Sequence, residues 1–137
     1  MSADTATTLE QEVHRLFELL DSMDIRGISA MLTDDAQGID EISRRWMRGK
    51  AALDAYFAQL EGTVSEPKSQ VSDLHATAWG EVGLVTFVLD QTYKLDGEEH
   101  SISAPTSIVF NRDNGGWTDH RRIRERRREE ASAGCRV

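Results

Sequence analysis

The chain has 137 residues, one cysteine and a net charge of −8. That length suits a single domain with one real core. The lone Cys135 excludes an intramolecular disulfide or a cysteine metal site. The absence of any run near ~18 apolar residues gives no membrane span, and the acidic balance argues against nucleic acid as the main partner.

The charge is unevenly placed. Residues 1–118 hold 20 of the 24 acids and only 9 of the 16 bases, whereas residues 119–137 hold seven arginines. The polar, acidic start MSADTATTLEQE lacks the basic and apolar regions of a signal peptide, so a cytoplasmic location is expected.

Residues 1–8 read as a flexible N-terminus. Thr7-x-x-Glu10 has the form of a capping box. The helix expected after it carries Val13, Leu16, Phe17 and Leu20 on one face. Asp21-Ser22-Met23-Asp24 breaks that helix, and Asp24 is placed to cap a second one running to about Leu32. An irregular segment with Asp40, Glu41 and Trp46 follows, and Gly49 opens a third helix. Leu53, Tyr56, Phe57 and Leu60 give that helix one apolar face. A loop mixing acids, arginines and an indole between packed helices fits the mouth of a pocket.

Gly62 and Pro67 mark the end of the helical half, and from Gln70 the period changes to two. Val71, Asp73, His75, Thr77 and Trp79 fall on one face of the expected strand. Gly80-Glu81 suggests a turn, Val82 to Leu95 a long strand, and Asp96-Gly97 a hairpin. His100 to Asn111 is the return strand, with Ile102, Ala104, Thr106, Ile108 and Phe110 on one face; Pro105 implies an edge or a bulge. Trp117 begins a last strand through about Ile123, whose parity puts Trp117, Asp119 and Arg121 on one side and His120 on the other. Residues 125–137 read as a solvated, Arg/Glu-rich helical tail. Helices first and antiparallel strands afterwards make an α+β fold.

Helix-LTDDA, a gap, then RGKAALDAYFAQL resembles the nuclear-transport-factor-2-like superfamily, in its SnoaL-like and ketosteroid-isomerase-like branch. The likeness runs from about Val13 to Ile123, within a domain bounded at 9–124. It implies three N-terminal helices packed on a strongly curved antiparallel sheet, a cone with an internal pocket. It also implies a small apolar ligand of polyketide or terpenoid kind, no cofactor or metal, and a homodimer.

The resemblance carries specific roles. Asp40 falls where the isomerase has its proton-shuttling aspartate; the handling of a proton by a carboxylate over an apolar pocket is general chemistry. The isomerase's oxyanion tyrosine falls on Leu16 and its second donor near Thr106. Trp117-Thr118-Asp119 resembles the last strand of limonene epoxide hydrolase, and Val88-Leu89-Asp90 its partner motif without the arginine. An Asp90–Asp119 pair facing across the sheet would divide acid and base roles. Trp46, Tyr56, Thr106, Trp117, His120 and Arg121 complete the expected ligand site. Two readings stay open: a cofactor-free isomerase, cyclase or hydrolase, and a non-catalytic binding or dimerisation module.

Overall fold

The computed structural model describes residues 3–40, 43–112 and 130–131. Three helices precede the long strands: α1 (Ala3–Asp21), α2 (Ile25–Met31) and α3 (Lys50–Thr63). Between α2 and α3 lie two short strands, β1 (Gln37–Asp40) and β2 (Arg45–Arg48). Three long strands follow, β3 (Val64–Trp79), β4 (Val82–Leu95) and β5 (Glu98–Asn111), and a two-residue β6 (Glu130–Ala131). The sheet order is β2-β1-β6-β5-β4-β3, antiparallel except for the β1–β6 pair. Among the described residues no helix is long and apolar enough to cross a membrane.

α1 begins earlier than the capping box implies. Thr7 and Glu10 lie inside the helix, and the Thr8 hydroxyl donates to the Asp4 carbonyl at 2.8 Å. Ala6 and Leu9 pack on the core, and that burial extends the helix past its local signal. The helix ends in a Schellman turn without glycine. Asp24 N donates to the Leu19 carbonyl, Met23 N donates to that of Leu20, and Met23 takes φ 55°. Asp24 then caps α2 as expected, accepting from Gly27 N at 3.0 Å.

The segment read as irregular is a hairpin, with Ile39 opposite Trp46 and Asp40 opposite Arg45. Each arm is four residues, too short for an alternation pattern to show. Gly49 starts α3 at φ 93°, ψ 154°, a conformation reserved for glycine. α3 runs through Gly62, and β3 starts at Val64, six residues before the change of period suggests.

β3 carries two register shifts, Ser65/Lys68 and Ser72/His75, each holding an acidic residue at positive φ: Glu66 at 52° and Asp73 at 54°. Bulges bend a strand and swap its faces. Val71 packs inward before the second shift, and Leu74, Ala76 and Ala78 pack inward after it. The single face read from Val71 through Trp79 is therefore broken. β5 keeps its alternation, with Ala104, Thr106, Ile108 and Phe110 buried. Pro105 pairs with Val88 with no bulge in that ladder.

The main core sets Leu9, Val13 and Phe17 of α1 against Ala76, Val85, Phe87, Leu89, Ile108 and Phe110. Phe17 meets Phe87 edge to face, with centroids 5.7 Å apart. A second cluster, Leu32, Ala36 and Leu53 with Met47 and Phe57, ties the β1–β2 hairpin to α3.

Glu130 and Ala131 pair with Gln37–Gly38 on one side and Ile108–Val109 on the other. They were expected in a helical tail. The open edges of β1 and β5 offer backbone partners that a solvated helix would leave unused.

Candidate functional site

The inward face of β4 changes character along its length. Val85, Phe87 and Leu89 are covered by α1, but the same face continues through Gln91, Tyr93 and Leu95 beyond the end of that helix. α3 closes over this stretch with Tyr56 and Leu60, one turn apart. β1 delivers Asp40 at its last position.

These elements line a half-open cavity of about 250 Å³, formed by Asp40, Tyr56, Gln59, Leu60, Thr63, Val64 and Leu95. A smaller lobe of about 50 Å³ shares Tyr56, Leu60 and Val64, and adds Leu20, Met23, Pro67, Gln91 and Tyr93. The Schellman turn supplies Met23, and the first β3 bulge supplies Pro67.

Asp40 is half-buried and anchored by its own turn. Its Oδ2 accepts from Ser43 N at 3.2 Å, and its carbonyl accepts from Arg44 N at 2.7 Å, with Arg44 at φ 60°. Tyr56 packs edge to face on Phe57 at 5.2 Å. Tyr93 stacks on His100, its register partner on β5, at 5.5 Å and 17°. Asp40 is the one carboxylate in the lining of either lobe among the described residues.

A polar relay stands behind the smaller lobe. Asp21, the last residue of α1, accepts from Ser69 N at 2.8 Å and from Ser69 Oγ at 2.7 Å. Gln91 Nε2 donates to Ser69 Oγ at 2.9 Å. Sequence reading missed Asp21, Ser69, Gln91 and Tyr93. Their meeting depends on the β3–β4 register, Ser69 opposite Gln91, which the late placement of the β3 start concealed.

The other expected residues are dispersed. Asp90 is exposed on the outward face, opposite Gln70 and Ser103, in an open polar depression with Lys68. The reason is parity: its neighbours Leu89 and Gln91 take the inward positions, so Asp90 faces away from Asp40. Thr106 is buried and donates to the Ala104 carbonyl at 3.1 Å, within the core. Trp46 is 55% exposed, with the Arg48 guanidinium 5.4 Å from its ring centroid, and lies outside the cavity lining. Leu16 packs against the main core. Trp117, Asp119, His120, Arg121 and Glu41 lie outside the described residues. No group of His, Cys, Asp or Glu among the described residues is arranged to hold a metal ion.

A SnoaL-like domain model matches residues 9–119. The chain belongs to the SnoaL-like family. Solved structures agree on the architecture. A candidate dehydratase of the NTF2-like family from Streptomyces avermitilis superposes with TM-score 0.77 at 14% identity, covering 96% of this chain and 97% of the other. An NTF2-like protein of unknown function from Pseudomonas putida KT2440 gives TM-score 0.76 at 19% identity, covering 100% and 96%. A Catenulispora acidiphila protein in complex with S-DNPA gives TM-score 0.71 at 15% identity, covering 95% of each chain. At these identities the likeness shows the NTF2-like fold alone. No curated protein matches the sequence.

Proposed function

We propose that this SnoaL-like domain binds a small, largely apolar molecule in the two-lobed cavity, and that Asp40 moves a proton on it without a cofactor. The observation that carries the reading is the lining itself. One carboxylate, its Oδ2 accepting from Ser43 N, faces walls that are otherwise aliphatic, aromatic or neutral polar. Apolar concavities with a few convergent polar groups are the usual form of ligand sites.

In this mechanism the Asp40 carboxylate removes a proton α to a carbonyl. The C–H electron pair moves to the carbonyl oxygen, where the Tyr56 phenol donates a hydrogen bond to the enolate. Protonated Asp40 then returns the proton to a different carbon, completing an isomerisation; in a ring closure the enolate carbon instead attacks a second carbonyl of the ligand, and the proton goes to the alkoxide oxygen so formed. One of the superposed structures carries the name of a candidate dehydratase.

A second reading, binding without catalysis, draws on Leu16 and Thr106. The isomerase-like branch would have a tyrosine at the first, where a leucine packs in the core, and an acid near the second, whose hydroxyl donates to a carbonyl. Deuterium exchange at the α-carbon of 2-tetralone separates the two. The catalytic reading expects the protein to accelerate exchange above buffer, and Asp40→Asn to remove most of that acceleration. Saturable binding without acceleration would leave the ligand-binding module.

We also propose that the domain pairs with a second copy through the outward face of the sheet. Trp79 is 59% exposed there, and Val82, Leu84, Val88 and Val109 are half-buried on the same side. A cytoplasmic location goes with this reading.

A further inference from the structure

The relay behind the smaller lobe fixes more than the position of Gln91. Both oxygens of the Asp21 carboxylate accept from Ser69, one from its backbone N–H and one from its hydroxyl. A hydroxyl has a single hydrogen, and Ser69 gives it to Asp21, so the remaining lone pairs of Ser69 Oγ only accept. The Gln91 group that meets Ser69 Oγ is therefore the NH₂. This order of donors decides the orientation of an amide that is otherwise ambiguous about its own axis. With Nε2 turned to Ser69, Oε1 is turned away from it; Gln91 lines the smaller lobe beside Met23 and Tyr93, and with Ser69 it also lines the open depression that holds Lys68 and Asp90. Among the described residues Oε1 has no hydrogen-bond partner.

We infer that Gln91 is a specificity-determining residue whose amide oxygen, held by Asp21 and Ser69, accepts a hydrogen bond from a hydroxyl or N–H group on the cavity's ligand. The inference deepens the ligand-binding reading above and rests on it. Asp40 lines the larger lobe and Gln91 the smaller one, with Tyr56 and Leu60 shared between them. A ligand spanning both lobes presents its reacting carbon to Asp40 and a donor group to Gln91. Asp21 and Ser69 act as positioning residues, holding the amide in one of its two orientations. A site that hydrogen-bonds a ligand group discriminates strongly against analogues that lack it, because its own polar atom is then left unpaired.

The test compares two probes of nearly equal shape, 2-naphthol and 2-methoxynaphthalene, by NMR titration of the full chain. The expected result is a preference of roughly tenfold for 2-naphthol, the size of one hydrogen bond. That preference collapses in Gln91→Leu, weakens in Ser69→Ala and survives in Glu66→Gln, which lies outside both lobes. Gln91→Met, closer in shape, serves if the leucine variant does not fold. A preference that persists in both Gln91 variants, or that disappears only in Asp40→Asn, overturns the inference. Equal binding of the two probes by the unaltered protein also overturns it and leaves the cavity reading intact. Saturable binding of neither probe removes both.

Discussion

Asp40 and Tyr56 face one cavity from different elements, the first from the end of β1 and the second from the middle of α3. The β1–β2 hairpin brings them together by packing Met47 with Phe57 and Leu53 in the second core cluster. Because Asp40 Oδ2 only accepts, from Ser43 N, an asparagine in its place keeps that bond through its own carbonyl oxygen. Asp40→Asn is expected to change stability by less than about 1 kcal/mol, while α-proton exchange falls by roughly 100-fold or more. Paired urea melts and exchange rates check both halves.

Phe87 is 3% exposed and meets Phe17 edge to face. Its loss leaves a hole where α1 seats on the sheet, which the backbone cannot fill. Phe87→Ala is expected to cost about 3–5 kcal/mol in urea unfolding. A cost below about 1 kcal/mol would mean that α1 is not held by this contact.

The first bulge of β3 is braced from outside by Glu66 and Lys94, 2.9 Å apart. The hydrogen bond and charge of Lys94 hold the Glu66 carboxyl below its ordinary value of 4.5, and Glu66 in turn raises the Lys94 ammonium above 10.5. The Glu66 contribution is present above the ordinary carboxylate range and is lost as pH falls through the lowered value. The Lys94 contribution is present below 10.5 and is lost as pH rises through the raised one. Glu66 is exposed and Lys94 half-exposed, so the effect is small and salt-screened. Glu66→Gln is expected to melt slightly below the unaltered protein near neutral pH. The two curves should converge in acid below the carboxylate range, or in molar salt.

The outward face gives a prediction about assembly. Leu84 and Val88 flank Thr86 on β4 with side chains away from the core, and Val109 stands opposite Leu84 on β5. If this face joins two copies, Leu84→Arg converts a dimer by light scattering to a monomer, with circular dichroism unchanged. A monomer in the unaltered protein at micromolar concentration contradicts the pairing.

Much of this architecture is written in local pattern, and its failures have physical causes. The alternation of Ala104, Thr106, Ile108 and Phe110 is legible because β5 buries one face without interruption. The faces of β3 are not, because Glu66 and Asp73 turn to positive φ with no compositional cue, and each bulge resets the parity. Asp40 was a candidate through family resemblance, and it lines the larger lobe. Gln91 and Ser69 were not, since a polar pair across two strands appears only once the register is known. Asp90, proposed from a motif, stands on the outward face, because Leu89 and Gln91 take the inward positions of β4.

The central claim is that the lobes beside Asp40 and Tyr56 hold a small apolar molecule. The most direct measurement is a titration of the ¹⁵N-labelled chain with 2-naphthol, followed residue by residue. The account predicts saturable shifts concentrated at Asp40, Tyr56, Leu60, Thr63 and Leu95, weakened when Leu60→Trp fills the space between the lobes. Shifts confined to Lys68, Gln70 and Asp90 on the outward face, or no saturable shift at all, would contradict it.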